Sequence, residues 1–231
     1  MLRAVVFDVD FTLIHPGPTF QGAGYQAFGA RYGIAVDPAR FPLAVASASA
    51  LLDLPDDTPY ADEIHVRYTR HILEAMGGTG DRLDDCAREI YREWAACHHF
   101  DLYDDVDDAL RGLVARGLLV GLVSNSHRSL AQFQTHFGLD GLIAASVSSA
   151  EHGMMKPHPS IFEAVLEKLA VPASAALMVG DSVGHDVEGA LRAGMAAVLL
   201  HRPDVPHPRE VELASRGVPV LRTLRELPQV L

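Results

Sequence analysis

The sequence contains little cysteine, little lysine and no long apolar run. Cys86 and Cys97 are its only cysteines, too few for a disulfide framework, so we expect a reducing, cytoplasmic setting. No apolar stretch approaches the roughly 20 residues that a membrane-spanning helix needs. The N-terminus also lacks the basic-then-apolar pattern of a secretion signal. We therefore expect no membrane partner.

Positive charge is scarce. Lys and Arg total 19 against 30 Asp and Glu, which gives a formal net charge of −11 and a pI near 5.4. Nucleic acids and anionic membranes require clustered Lys and Arg, so the composition argues against a nucleic-acid partner. With 231 residues, 48% of them hydrophobic, the chain can bury a substantial core, which excludes disorder as its main state.

Short apolar runs separated by helical stretches predict an α/β fold. The predicted buried strands cover 3–9, 118–123, 142–147, 176–180, 195–200 and 218–221. Helices are predicted over 127–137, 159–170 and 185–193. This alternation is typical of a doubly wound parallel sheet with helices on both faces.

The segment from about 20 to 97 has a different pattern. Apolar residues at three- and four-residue spacing predict helices over 21–33, 60–76 and 82–97, while 37–59 is less certain. We therefore predict two domains. The α/β core comprises 1–15 and 99–231, and a small helical domain at 16–98 is inserted into it.

Polar residues follow the predicted strands, and in such sheets the ligand site lies at the carboxyl ends of the strands. The residues at these ends are Asp8, Asp10, Ser124, Asn125, Asp181 and Asp186, and Lys156 lies in a loop that opens the 159–170 helix. The four carboxylates, opposed by one lysine, would repel one another by several kcal/mol in a desolvated cleft. A bound cation or a retained proton removes that repulsion. Oxygen ligands favour Mg²⁺ over zinc.

Four motifs in order resemble those of the haloacid dehalogenase superfamily. They are D-V-D-F-T-L at 8–13, V-S-N-S at 123–126, M-K-P-H-P-S-I-F at 155–162 and V-G-D-S-V-G-H-D at 179–186. One motif alone would be weak, but four in order at strand ends and helix starts are specific. The resemblance implies a Rossmann-like core and a helical cap, the inserted domain, that closes over the substrate.

The resemblance also implies roles for individual residues. Asp8 would be the nucleophile that forms an aspartyl-phosphate. Asp10 would protonate the leaving alkoxide and then activate water, while its backbone carbonyl binds Mg²⁺. Ser124 would hydrogen-bond a phosphoryl oxygen beside the backbone N–H of Asn125.

The remaining implied roles concern charge. Lys156 would neutralise the nucleophile and the phosphoryl oxygens, so the catalytic set is Asp8, Asp10 and Lys156. Asp181 would bind the metal directly, and Asp186 would act through water or by orienting Lys156. The predicted metal residues are thus Asp8, Asp10, Asp181 and Asp186.

Two positions depart from the family pattern, and one selects a branch of it. Phe11 stands where Gly is commonest, and His185 where Asn is frequent. Asp10 favours phosphate esters, because the dehalogenating branch lacks this second carboxylate.

The predicted function is that of a Mg²⁺-dependent phosphatase acting on a small phosphorylated metabolite. A phosphomutase and a non-catalytic phospho-ligand binding module stay open as alternatives. A receiver-like module would lack the long helical insertion. The chain could be a monomer or a homodimer.

Two further clusters invite simpler interpretations. Cys97-His98-His99 together with Cys86 fits no common zinc spacing, and we interpret this segment as an interdomain linker. Asp104, Asp105, Asp107 and Asp108 are predicted to form a charge cluster at a helix N-terminus.

Overall fold

A computed structural model describes residues 1–203 and 205–231 of the chain. The chain divides into two compact units, Met1–His15 with Leu102–Leu231, and Pro16–Asp101. The second boundary falls at 101 rather than at the predicted 98. Phe100 stays with the inserted unit because its ring packs against Phe20 and Trp94, at centroid distances of 5.4 and 5.0 Å.

The strands and helices follow one another along the whole chain. The strands are β1 (Ala4–Phe7), β2 (Ile14–Pro16), β3 (Phe100–Leu102), β4 (Leu119–Ser124), β5 (Ala145–Ser148), β6 (Ala176–Gly180), β7 (Ala196–Leu200) and β8 (Val220–Leu221). The helices are α1 (Gly22–Arg31), α2 (Phe41–Ala48), α3 (Asp62–Ala75), α4 (Leu83–Glu93), α5 (Val106–Ala115), α6 (Leu130–His136), α7 (Ser149–His152), α8 (Pro159–Leu169), α9 (Gly189–Arg192) and α10 (Glu210–Ser215). Short 3₁₀ segments cover Pro18–Phe20, Pro38–Arg40, Ser49–Leu52, Cys97–His99, Ala173–Ala175 and Leu224–Gln229, and a π-helical segment covers Val183–Glu188.

The first unit contains a six-stranded parallel sheet in the order β5-β4-β1-β6-β7-β8. The central strand β1 is completely buried, as expected for a continuous apolar run with helices on both faces. Phe7 lies opposite Leu122 of β4 and Val179 of β6. This register brings the carboxyl ends of β1, β4 and β6 to one edge of the sheet. The predicted doubly wound α/β fold is confirmed.

Helix α8 packs against the sheet at β4 and β5. Phe162 and Val165 of α8 share a buried apolar cluster with Val6 of β1 and Met178 of β6. Gly121 in β4 permits the close approach, because a Cβ there would lie 3.2 Å from Val165. This packing fixes the helix that follows the Lys156 loop.

The inserted unit is helical, as the spacing of its apolar residues predicts. Buried residues of α4 include Leu83, Ala87 and Ile90, which share one face of the helix. Helix α3 packs against both α2 and α4, and α2 lies in the stretch for which the sequence gives no clear prediction. No helix among the described residues is long and apolar enough to cross a membrane.

Some elements escape the sequence pattern. The short strands β2 and β3 pair with each other where the chain passes between the units. The hydrophobic pattern predicts neither these strands nor α7 and α10, because all of them are too short to show a period.

The acidic residues at the start of α5 lie in two different environments. Asp107 and Asp108 lie in the first turn of the helix, as predicted. Asp105 instead is buried, and it accepts two hydrogen bonds from Arg202 at 3.1 Å and one from Thr223 Oγ1 at 2.6 Å. Asp105 is the N-cap residue of α5, at the helix N-terminus where the sequence places it, and its burial with Arg202 and Thr223 is a feature that the sequence does not predict.

Arg202 links this network to the loop after β1. Its Nη2 donates to the carbonyl of Thr12 at 2.7 Å, and its guanidinium carbon lies 3.6 Å from the ring centre of Tyr103. The backbone N–H of Tyr103 donates to Leu13 at 3.1 Å. The loop that follows Asp10 is thus anchored to the rest of the unit through Arg202.

Replacing Asp105 with Asn should destabilise the protein, because the Arg202 guanidinium would lose its buried counter-ion. We expect a loss of about 3 kcal/mol in the free energy of unfolding, measured by urea denaturation. The control is Asp104→Asn, which removes an exposed carboxylate and should change stability by less than about 0.5 kcal/mol. Equal losses in the two variants would contradict the structural role of Asp105.

Candidate active site

A lysine bridges two buried carboxylates at the carboxyl edge of the sheet. Lys156 Nζ lies 2.5 Å from Asp8 Oδ1 and 2.6 Å from Asp186 Oδ1. The exposed fractions are 3% for Lys156, 6% for Asp8 and 1% for Asp186. Lys and Asp are almost never buried to this extent unless they are paired. The three side chains therefore form one ionic unit.

Glycine and backbone contacts place Asp186 in this unit. A Cβ at Gly180 would come within 2.3 Å of the Asp186 carboxyl carbon, so only glycine leaves room for it. Asp186 Oδ2 accepts a hydrogen bond from the backbone N–H of Ser182 at 3.0 Å. The strand end and the helical turn after it thus hold the carboxylate from both sides.

Asn125 positions the lysine from the neighbouring strand end. Its side-chain amide donates to the carbonyl of Lys156 at 2.9 Å, and its Oδ1 accepts from the backbone N–H of Lys156 at 2.7 Å. The sequence predicts a phosphate contact through the backbone N–H of Asn125. The structure shows that the side chain has a separate task, which is to fix the Lys156 loop.

Burial and charge shift the ionisation of the cluster. Desolvation raises the pKa of Asp8 to about 7, because it and the negative charge of Asp186 outweigh the attraction of Lys156. Burial alone would lower the pKa of Lys156, but the carboxylates of Asp186 and Asp8 hold it above its ordinary value. The lysine therefore stays charged, and the site has more carboxylates than it can neutralise.

Asp181 adds a third carboxylate to this group. Oxygen atoms of Asp8, Asp181 and Asp186 all lie within 4.8 Å of one another. Desolvation and the charges of Asp8 and Asp186 raise the pKa of Asp181 well above its ordinary value, although its side chain is exposed at the surface. An all-oxygen donor set with excess negative charge fits Mg²⁺.

Among the residues that the structure describes, Asp10 is not a member of this carboxylate group. Its carboxylate pairs instead with Arg128, whose Nη1 lies 2.9 and 3.1 Å from its two oxygens. The sequence reasoning missed Arg128. The available signal was its position four residues after Ser124, at the same edge of the sheet as Asp10.

The predicted phosphate-binding serine lies at the end of β4, where it is buried. Ser124 Oγ donates to Ser126 Oγ at 2.9 Å, and Ser126 is buried as well. In the structure the Ser124 hydroxyl is thus directed at a neighbouring serine. Its contact with a phosphoryl oxygen stays a prediction.

Phe11 has an unusual backbone conformation beside these residues. Its φ is +64°, and its backbone N–H donates to the carbonyl of Ile14 at 2.7 Å. A positive φ is rare for a residue with a bulky side chain, which explains why glycine suits this position. The ring is 46% exposed, so the strained turn does not serve to bury it.

A second group of possible metal ligands lies in the inserted unit. Atoms of Glu93, His98 and His99 approach one another within 4.8 Å, and neither cysteine belongs to the group. His99 Nε2 and Glu93 Oε2 already form a hydrogen bond at 3.0 Å, and His98 is exposed. We interpret the group as a surface polar cluster, in agreement with the linker interpretation.

Comparison with known proteins identifies the family. The family model for haloacid dehalogenase-like hydrolases matches residues 2–194. The chain belongs to the haloacid dehalogenase-like hydrolases. It is therefore an enzyme, a hydrolase, and the resemblance carried by its four motifs is confirmed.

Two curated relatives align with most of the chain. Haloacid dehalogenase-like hydrolase domain-containing protein 3 of Danio rerio is 28% identical over 98% of this chain and 95% of its own length. Glyceraldehyde 3-phosphate phosphatase of Methanopyrus kandleri is 27% identical over 87% of this chain and 85% of its own. Several other curated relatives match over about half of their own length.

The fold is also found among solved structures. The HAD-hydrolase YfnB of Bacillus subtilis, described as bound to magnesium, superposes with a TM-score of 0.73 at 20% identity. That match covers 99% of this chain and 98% of the other. Similarity at this level shows a shared fold.

Replacing Lys156 with Met should destabilise the metal-free protein, because Asp8 and Asp186 would be left buried without a counter-charge. We expect a loss of about 3 kcal/mol at neutral pH, measured by urea denaturation. Lys168→Met is the matched control. Lys168 is an exposed lysine, and its Nζ donates a hydrogen bond to the carbonyl of Ser146. If both variants were equally stable, the buried bridge would not hold the site together.

Proposed function

We propose that this hydrolase is a Mg²⁺-dependent phosphatase that cleaves a small phosphomonoester through a phosphoaspartate on Asp8. The observation that carries the proposal is the buried bridge of Lys156 between Asp8 and Asp186, with Asp181 beside it. The bridge supplies a reachable carboxylate with fixed positive charge next to it. Phosphoryl transfer needs positioning and charge neutralisation above all.

In the first step, a carboxylate oxygen of Asp8 attacks phosphorus and the bond to the leaving oxygen breaks. Lys156 holds Oδ1 of Asp8, which leaves Oδ2 for the attack. Asp10 gives its proton to the leaving oxygen, so that an alcohol departs. Lys156 keeps its charge throughout and offsets the negative charge that gathers on the phosphoryl oxygens.

In the second step, water attacks the phosphorus of the phosphoaspartate. Asp10, now ionised, takes a proton from that water. The bond between phosphorus and the Asp8 oxygen breaks, so that free phosphate and the Asp8 carboxylate are restored. Asp10 ends the cycle protonated, as it began.

The donor atoms suit a magnesium ion. Asp8, Asp181 and Asp186, together with the backbone carbonyl of Asp10, would hold it, either directly or through water. When bound, Mg²⁺ supplies positive charge that offsets the carboxylates and the substrate phosphate. The magnesium in the structure of the Bacillus subtilis relative supports this assignment.

The phosphatase relatives support a phosphomonoester as substrate. The Methanopyrus kandleri relative is named for a small phosphorylated metabolite, and the presence of Asp10 fits an alkoxide leaving group that needs a proton. We propose the inserted helical unit, Pro16–Asp101, as the cap that selects the substrate. The low cysteine content supports a cytoplasmic location.

Asp8→Asn should abolish turnover while leaving the fold intact, because the amide cannot form a phosphoaspartate. Phosphate release from a panel of phosphorylated metabolites should fall by about 10³-fold or more, and a chelator should stop wild-type release. Asp107→Asn removes an exposed carboxylate on α5 and is the control.

Full activity in Asp8→Asn, or release that survives the chelator, would contradict the proposal. A phosphomutase would instead isomerise a sugar phosphate without net release of phosphate. A binding module would retain a phosphorylated ligand and release nothing.

Asp181→Asn should stabilise the metal-free protein and weaken its stabilisation by magnesium. Removing one of the clustered carboxylates relieves repulsion in metal-free buffer, so the melting temperature should rise by about 2–4 °C. The same variant should lose most of the stabilisation that Mg²⁺ gives the wild type. Thermal scans with and without Mg²⁺ test this, and an unchanged magnesium response would exclude Asp181 as a ligand.

A further inference from the structure

Arg128 is the largest fully buried side chain among the residues that the structure describes. Only 1% of its surface is exposed. A buried guanidinium is costly unless a carboxylate pairs with it. Arg128 pairs with Asp10, and its Nη1 lies 2.9 Å from one carboxylate oxygen and 3.1 Å from the other.

Asp10 itself remains accessible, with 18% of its side chain exposed. Its backbone belongs to a tight turn, in which Phe11 N–H donates to Ile14 at 2.7 Å and Leu13 N–H donates to Val9 at 2.8 Å. With the backbone fixed in this way, rotation of the side chain is the freedom left to the carboxyl group. The two bonds from Arg128 remove that freedom.

The two buried cations of the site thus contact different carboxylates. Lys156 holds Asp8 and Asp186, whereas Arg128 holds Asp10. Since a carboxylate has about four lone-pair positions and Arg128 occupies one on each oxygen, Asp10 keeps positions that can carry the proton it donates and later accept one from water. The arrangement suits a group that must be aimed while staying open to a ligand.

We propose that Arg128 is a positioning residue for Asp10, which orients its carboxyl group toward the leaving-group oxygen and later toward water. The inference rests on the proposed phosphatase function. Arg128 stays protonated in both steps, because arginine does not lose its proton in proteins. The proton that moves belongs to Asp10.

This role predicts a loss that depends on the leaving group. An alkyl phosphate releases a strongly basic alkoxide that needs the proton from Asp10. A nitrophenyl phosphate releases a stable phenolate that needs it far less. The value of kcat/KM reports the steps up to phosphoryl transfer to Asp8, so it isolates the general-acid step from the later hydrolysis.

The experiment compares wild type, Arg128→Met, Arg128→Lys and Asp10→Asn on an alkyl phosphate and on p-nitrophenyl phosphate with Mg²⁺. We expect Arg128→Met to lose about 10²-fold in kcat/KM on the alkyl ester and less than about 10-fold on the aryl ester. The double variant Asp10→Asn with Arg128→Met should be no slower than Asp10→Asn alone, because both changes remove one function.

Arg111→Met is the matched control, because Arg111 forms an Arg–Asp pair of similar length, 2.8 Å, on the exposed face of α5. Its kcat/KM should match wild type on both esters. Arg128→Lys keeps the charge but not the geometry, and it should show the same ester-selective loss to a smaller degree. If Arg128→Met does not fold, the comparison of the two esters is made with Arg128→Lys instead.

Equal losses on both esters would overturn the proposal, since they would make Arg128 a structural residue or a ligand of the substrate phosphate. Additive losses in the double variant would overturn it as well. No phosphate release from either ester by wild type would overturn the proposed function itself. An active wild type whose Arg128 variants show no ester selectivity is a different result, because it would overturn only the role of Arg128.

Discussion

The contact of Lys156 with Asp8 and Asp186 is the interaction on which the rest of the site depends. A nucleophilic carboxylate has to be buried next to other carboxylates, and burial raises its pKa to about 7. The lysine offsets part of that cost, and the remaining excess of negative charge creates the demand for a cation. Two neighbouring residues hold these side chains in place. Gly180 leaves room for Asp186, and the Asn125 amide fixes the Lys156 backbone.

Asp10 is organised separately, by the Arg128 guanidinium and by a turn that requires a positive φ at Phe11. Arg202 anchors the same loop through the Thr12 carbonyl and the buried Asp105. Asp8 and Asp186 therefore share the Lys156 cation, and Asp10 pairs with a second one, Arg128. Pre-set groups of this kind need little rearrangement when charge develops during a reaction, which is how electrostatic catalysis gains its effect.

The sequence predicts the parallel sheet and the edge at which Asp8, Lys156, Asp181 and Asp186 lie. Both predictions use local patterns: the spacing of apolar residues along the chain and the polar residues that follow each strand. Such patterns do not predict contacts between distant side chains. Arg128 and Asp10 are 118 residues apart, and Arg202 and Asp105 are 97 apart. The position of Arg128 after Ser124 places it at the right edge of the sheet, but no local pattern shows which residue either arginine pairs with. Asn125 was found by its motif position, but its side-chain task depends on a loop 31 residues away.

The most direct measurement is the detection of phosphate on Asp8 itself. Wild-type protein would be mixed with Mg²⁺ and an excess of a phosphomonoester that it hydrolyses. The reaction would be quenched in acid within milliseconds, and the protein would be digested and examined by mass spectrometry. The account predicts a phosphate adduct on the peptide that carries Asp8, formed and lost at rates compatible with turnover. Steady release of phosphate with no adduct on Asp8, or with an adduct on another residue, would contradict it.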